Sequence, residues 1–382
     1  MSDAPEALPA APVPAALPVA APPISTDFLP PNMRKHVDPG SPVALRMMAA
    51  KTLVPLSPPD MLGALYLLTF DPDEKVRDTA AATAQKLPDR ILSAALRDED
   101  VPGPVLAYFL ARLADKDAYA EMLILNANTP DDAVAAAARL GSTRTAELVG
   151  QNQLRLLRHD DIIRQLCLNP NAGAALLEGV CDFCVRSGMM LADVPALKAA
   201  RLRLFGPDPE IPVDPGPTAA EVMAENAELR DEGDEPVEDH RRMTLTQKVM
   251  KMSISEKIKL ATLGNKEARS LLIRDSNKLV ATAVIRSPRI TDGEVLAVAS
   301  NRAAMDDVLR IVYGNREWTK KNAVKLALVK NPKLPLSVAM RFMATLRENE
   351  VKDLMRNKNV PVGVQQTAKR MMDKKNAPKK GD

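Results

Sequence analysis

Three stretches of the chain repeat one pattern where an apolar segment ends. They are VIRSPRITDGEV at 284–295, LVKNPKLPLSVA at 328–339 and LMRNKNVPVGVQ at 354–365. Each passes from apolar residues through a basic residue, a small polar residue and a turn to an aliphatic residue, and then a new apolar run begins. A basic residue complements the exposed carbonyls and the dipole at the end of a helix. The pattern therefore predicts a helix-to-helix corner that is repeated along the chain.

The starts of helices are marked as clearly as their ends. Capping boxes, in which Ser or Thr precedes Glu or Gln by three residues, occur at four places. They begin at Thr218, Thr244, Ser253 and Thr291. Aromatic residues are few (one Trp, four Tyr and six Phe), so Ala, Leu, Val and Met must form the core. No alternating segment between Asn-Gly or Gly-Gly turns predicts a strand. These features favour an all-α fold, specifically an α-solenoid.

The segment 67–87, LLTFDPDEKVRDTAAATAQKL, carries the most specific repeat signal. An Asp-Pro-Asp turn at 71–73 precedes Val76, Ala80 and Ala84 at helical spacing, with an Arg beside Val76. This segment resembles one HEAT repeat, whose second helix typically begins with such a turn, a Val-Arg pair and spaced alanines. The resemblance implies a solenoid of HEAT-like helix pairs. The basic C-terminal section resembles the helical-repeat regions of uncharacterised bacterial proteins, and neither resemblance implies an activity.

Composition divides the chain into five predicted segments. They are a disordered Pro/Ala-rich tail at 1–41, a first HEAT-like helical section at 42–206, an acidic Pro-rich linker at 207–240, a second, basic helical-repeat section at 241–373, and a flexible basic tail at 374–382. The N-terminal segment has no Lys or Arg before Arg34, unlike a secretory signal. No apolar run approaches the roughly 18 residues that span a bilayer. We therefore expect a cytoplasmic protein.

The charge of the chain is strongly asymmetric. Residues 1–240 contain 21 Lys and Arg against 36 Asp and Glu, whereas 241–382 contain 31 against 13. Equivalent positions of successive solenoid units stack along one edge. The corner cations should then form a basic ridge. Its predicted members are Arg286, Arg289, Lys330, Lys333, Arg356 and Lys358. Trp318, the only Trp, is a candidate aromatic contact because it lies among basic residues.

The sequence offers few groups for catalysis. The three His residues are far apart, and no phosphate-binding glycine loop occurs. Cys181 and Cys184 form a C-x-x-C downstream of Cys167, but their helical spacing favours core packing over a redox or metal role. We therefore predict no catalytic residues, no metal and no cofactor.

The predicted function is a non-enzymatic scaffold or adaptor that binds an acidic protein surface through the basic ridge. The alternative is a sequence-tolerant binder of duplex nucleic acid, and a HEAT-type DNA repair enzyme is a third hypothesis. The linker at 207–240 holds 12 acidic residues and one Arg. It is also expected to contact the basic section within the chain and mask the ridge.

Overall fold

The computed structural model describes residues 22–207, 216–224 and 245–376. Over these ranges the protein is built from α-helices and short 3-10 turns, without strands, so the prediction of an all-α solenoid is confirmed. None of these helices is long and apolar enough to cross a membrane. Four predicted features lie wholly or partly outside the described residues. They are the first half of the predicted tail, most of the acidic linker, Thr244 of its capping box and the last six residues.

The described structure begins inside the segment that was predicted as a tail. Two 3-10 turns, Thr26–Phe28 and Arg34–His36, precede the first helix. The Phe28 ring occupies the space that a side chain at Gly63 would need, and Leu29 is buried. Packing of these apolar side chains stabilises the chain from about residue 22 despite its many prolines, so residues 22–41 belong to the described fold.

Packing divides the chain into two compact units. The first comprises Met1–Val149 with Leu168–Ala172. Its helices are α1 (Val43–Ala50), α2 (Pro58–Leu68), α3 (Glu74–Gln85), α4 (Asp89–Leu96), α5 (Gly103–Leu113), α6 (Asp117–Leu125), α7 (Asp131–Leu140) and most of α8 (Thr143–Gln151). Alternate helices lie side by side: α1 packs on α3, α2 on α4, α4 on α6, and α5 on α7. This alternation is the two-layer arrangement of a solenoid.

The Asp-Pro-Asp turn of the first unit has a clear structural role. The Asp73 side chain caps α3 by accepting the backbone N–H groups of Lys75 and Val76, at 2.9 and 3.3 Å. The Arg77 guanidinium donates to the carbonyl oxygens of Asp71 and Pro72 at 2.6 and 3.0 Å. The three apolar residues predicted to line this helix are buried. Local hydrogen bonds and burial thus explain the whole repeat signal.

The second unit comprises Gly150–Cys167 and Gly173–Asp382. Its helices are α9 (Gln153–Arg158), α10 (Asp160–Cys167), α11 (Ala174–Arg186), α12 (Pro195–Phe205), α13 (219–224), α14 (Leu245–Lys251), α15 (Ile254–Leu263), α16 (Lys266–Leu272), α17 (Lys278–Ile285), α18 (Asp292–Ser300), α19 (Asp306–Gly314), α20 (Arg316–Lys320), α21 (Asn322–Lys330), α22 (Leu336–Met343), α23 (Glu348–Arg356) and α24 (Val362–Asn376).

From α15 onward the helices alternate between two layers. Layer A contains α15, α17, α19, α22 and α24, and the first three pack on one another in order, as do the last two. Layer B contains α16, α18, α21 and α23, and α18 packs on α21. Because consecutive helices run in opposite directions, layer A helices all end at one edge of the unit and layer B helices end at the other.

The boundary between the units differs from the predicted one. It falls near residue 150 and not in the acidic linker. Helices α9 to α12 belong to the second unit because they pack on its core: the Ser255 N–H donates to the Ser187 carbonyl at 3.1 Å. Lys259 also forms an ion pair with Asp160 at 2.9 Å. The linker therefore separates regions of different charge, but the helices before it (α9 to α12) and those after it pack into one unit.

Candidate anion-binding edge

The small polar residue of the repeated corner links neighbouring helix pairs. Asn331 is 2% exposed, and its side-chain amide donates to the carbonyl oxygens of Ala299 and Asn301 at 2.9 and 3.0 Å. Its side-chain oxygen accepts the N–H of Lys333 at 3.0 Å. One buried side chain therefore ties the corner after α21 to the corner after α18.

The first unit contains the same device twice. The side-chain amide of Asn126 donates to the carbonyl oxygens of Leu96 and Asp98, at 2.9 and 3.0 Å. That of Asn169 reaches two carbonyls of the corner after α7, at 2.7 and 3.1 Å. Buried polar groups are costly unless they are hydrogen-bonded, so each Asn fixes how two successive corners stack.

The corner after α17 lies at the other edge of the second unit. The Ser287 hydroxyl donates to the Thr262 carbonyl at 3.2 Å, and the Arg289 guanidinium donates to the Leu263 carbonyl at 2.7 Å. These bonds join it to the corner after α15. The nine residues of α18, about 13 Å of helix, separate this corner from the one that Asn331 contacts.

The predicted basic ridge is therefore divided between two edges. Arg286 and Arg289 lie where layer A helices end, and the other four predicted cations lie where layer B helices end. Arg302 joins the second group, because its guanidinium donates to the Asn359 carbonyl at 2.7 Å and so bridges the corners after α18 and α23. The corners share a sequence pattern, but the number of helices between two corners decides their edge.

Two cations of the layer B edge were missed from the sequence. Arg274 follows α16 and lines the same cleft as Asn301, and Arg302 follows Asn301 directly. Their corners lack the predicted order of basic, small polar and basic residues. They do share an Asn or Asp whose side chain accepts the N–H two residues later: Asp275 at 2.8 Å and Asn301 at 2.9 Å. That spacing is the signal that identifies a layer B corner.

We call the cations of the layer B corners the basic edge. Its members are Arg274, Arg302, Lys330, Lys333, Arg356 and Lys358. Lys330 is half-buried and the others are exposed. Lys333 lies 3.8 Å from the Asp306 carboxylate. Within the described ranges, the other five form no ion pair, and Arg302 is hydrogen-bonded to the Asn359 carbonyl.

The opposite edge carries acids as well as cations. Layer B helices begin there, and acidic residues favour helix N-termini. These acids are Glu267, Asp292, Glu294, Glu317, Glu348 and Glu350. Lys321 pairs with Asp292 across α21 and α18, and Lys320 pairs with Glu317. Part of the positive charge at this edge is thus offset by acids of the same edge.

Trp318 lies away from the basic edge. It belongs to the short helix α20, which starts where layer A ends, and it is half-buried against the core. Its backbone N–H donates to the Asn315 side-chain oxygen at 3.2 Å. The structure therefore does not bring this candidate aromatic contact together with the cations of the basic edge.

The three cysteines cluster in the second unit as free thiols. Cys181 and Cys184 are 2% and 0% exposed. A hydrogen bond from the Cys181 thiol lowers the pKa of Cys167, which is half-buried, and burial raises the pKa of Cys184 to about 12. Buried, protonated thiols pack as small apolar side chains. In the part of the chain that the structure describes, no three His, Cys, Asp or Glu side chains group to hold a metal.

Comparison with family models, curated proteins and solved structures gives no match for this chain. The HEAT resemblance therefore remains a prediction from residues 67–87, and the case for a function rests on the basic edge.

Proposed function

We propose that the protein is a non-enzymatic scaffold or adaptor that binds an acidic protein partner along the basic edge. The supporting observation is that five of its six cations form no ion pair with the described residues; the exception is Lys333. Lys330 and Arg356 end helices whose corners are held in a fixed stack, partly by the buried Asn331. A fixed row of unpaired cations is suited to an anionic surface.

The spacing of the corners sets the size of the surface. Neighbouring parallel helices lie about 8–10 Å apart, so the four corners of layer B extend over roughly 30 Å. Exposed ion pairs contribute about 0.2–1 kcal/mol each. Six of them supply at most about 6 kcal/mol, which corresponds to a dissociation constant of about 40 µM. Charge alone therefore supports modest affinity and rapid association.

Duplex nucleic acid is the second candidate, because the same unpaired cations would contact phosphates. Such binding has a steep salt dependence: six or more phosphate contacts cost about 10³-fold or more in affinity between 50 and 200 mM salt. Aromatic stacking on single strands is not favoured, since Trp318 lies at the opposite edge.

Fluorescence anisotropy of the full chain with two probes tests the proposal. The probes are a labelled 20-residue poly-Glu peptide and a labelled 20-bp DNA duplex, and an uncharged Gly/Ser peptide is the control. We expect poly-Glu to bind with a dissociation constant between about 40 µM and about 1 mM at 50 mM NaCl and to resist displacement by the duplex. Absence of poly-Glu binding at 50 mM NaCl would overturn the proposal. Tighter duplex binding with a steep salt slope would favour the alternative.

The acidic linker is proposed to compete with the partner for the basic section. The support is its charge and its position next to that section in the sequence. Replacing the acids between 225 and 239 by their amides should raise the affinity for poly-Glu several-fold. Equal affinity in the two proteins would eliminate this masking role.

A further inference from the structure

A cleft of about 490 Å³ lies in the second unit between α16 and α18, next to the basic edge. This volume is within the range of about 300–1,000 Å³ that is typical of ligand sites. Much of the lining is apolar. The apolar residues include Ile273, Val284, Ile290, Ala297, Val298 and Met305. Ala297 is exposed on α18, and its small side chain leaves the cleft open.

Arg269 holds the two walls of the cleft together. It is 4% exposed and forms a two-point ion pair with Glu294, with N–O distances of 2.8 and 3.0 Å. Its third hydrogen bond, at 3.0 Å, goes to the Gly264 carbonyl. Arg269 is therefore satisfied within the protein and fixes α16 against α18 without a ligand.

Arg274 differs from Arg269 although it lines the same cleft. It is exposed and forms no ion pair with the described residues. Asp275 beside it is already paired with Lys257 at 2.9 Å. The cleft thus combines an apolar floor with an uncompensated cation where it meets the basic edge.

We propose that this cleft binds an aliphatic or aromatic side chain of an acidic segment in the partner, while neighbouring carboxylates of that segment contact Arg274 and the rest of the basic edge. The inference rests on the proposed function and specifies the chemistry of the partner. Charge alone gives modest affinity, whereas burying one large apolar side chain strengthens binding roughly 10- to 100-fold. The cleft is the apolar anchor that the basic edge lacks.

Two peptides and two matched variants of the full chain test this inference. One labelled 12-residue peptide contains only Glu and Gly, and the second carries a single Phe at its centre. With the unmodified protein, the Phe peptide should bind at least about tenfold more tightly. Ala297→Phe fills the cleft and should abolish this gain while changing the affinity for the Glu/Gly peptide less than twofold. Ala323→Phe, at an exposed Ala of α21 outside the cleft, is the control and should preserve the gain.

The outcomes separate this inference from the proposed function. Equal binding of both peptides to the unmodified protein, or a Phe gain that survives Ala297→Phe, overturns the inference and leaves the function in place. Failure of both peptides to bind overturns the proposed function. Helix content and melting temperature are compared first, and Ala297→Leu replaces Ala297→Phe if the latter is unstable.

Discussion

Asn331→Ala tests whether one buried side chain stacks successive corners. The substitution removes two donated hydrogen bonds and one accepted bond at a site that is 2% exposed. The Ala299 carbonyl and the Lys333 N–H lose this partner, whereas the Asn301 carbonyl still accepts the Ala304 N–H at 3.2 Å. Each such bond contributes about 1 kcal/mol, and an unsatisfied buried group costs about 1–3 kcal/mol, so the expected loss is about 3 kcal/mol. With a urea m-value of about 3 kcal/mol/M, the unfolding midpoint should fall by about 1 M.

The fluorescence of Trp318 reports this transition, because it is the only Trp and lies in the second unit. Asn357→Ala is the matched control. Asn357 stands at the next layer B corner but is less buried, and its side chain accepts only the N–H of Asn359, at 2.8 Å. Its loss should cost about 1 kcal/mol and shift the midpoint by about 0.3 M. Equal shifts in the two variants would refute the inter-corner role of Asn331.

Two further predictions concern ionisable groups of the second unit. Burial alone would raise the pKa of Glu294, but hydrogen bonds, chiefly from Arg269, outweigh it and hold the pKa below its ordinary value of about 4.3. The ionised carboxylate therefore stabilises the fold above that pH, and this stabilisation is lost as the pH falls. The urea midpoint of Glu294→Gln should be below that of the unmodified protein at pH 6, and the difference should shrink towards pH 3. Iodoacetamide at pH 8 should modify Cys167 before Cys181 and Cys184, because Cys167 is more exposed and its pKa is lowered. Peptide mass spectrometry after timed quenching measures the three rates. Equal rates for all three thiols in the folded protein would contradict this prediction.

Features governed by neighbouring residues were predictable from the sequence. The capping box of Thr291 and Glu294 is present, with N–O distances of 2.8 and 3.4 Å, because both partners lie within one helical turn. Leu334 and Val360 are buried at their corners, as the apolar pattern indicates. Helix ends and buried faces depend on residues three or four positions apart, which a sequence displays directly.

The assignment of corners to edges was not predictable in the same way. Arg286 and Lys330 have nearly identical surroundings in the sequence, yet they lie at opposite edges. Which edge a corner takes depends on how many helices separate it from the next corner, and α20, with five residues, adds a break that the apolar pattern hides. The inter-corner bonds of Asn331 join residues about 30 positions apart, so no local pattern reveals them.

The most direct test of the account compares two triple variants that remove the same charge from opposite edges. The first replaces three cations of the basic edge with Gln: Lys330, Arg356 and Lys358. The control replaces three exposed cations of the opposite edge that also lack ion pairs within the described ranges: Lys266, Arg286 and Arg316. Anisotropy with labelled poly-Glu at 50 mM NaCl should show about tenfold weaker binding for the first variant and less than a twofold change for the control. Equal losses in both variants would mean that net charge alone governs binding, and would contradict a basic edge that acts as the binding site.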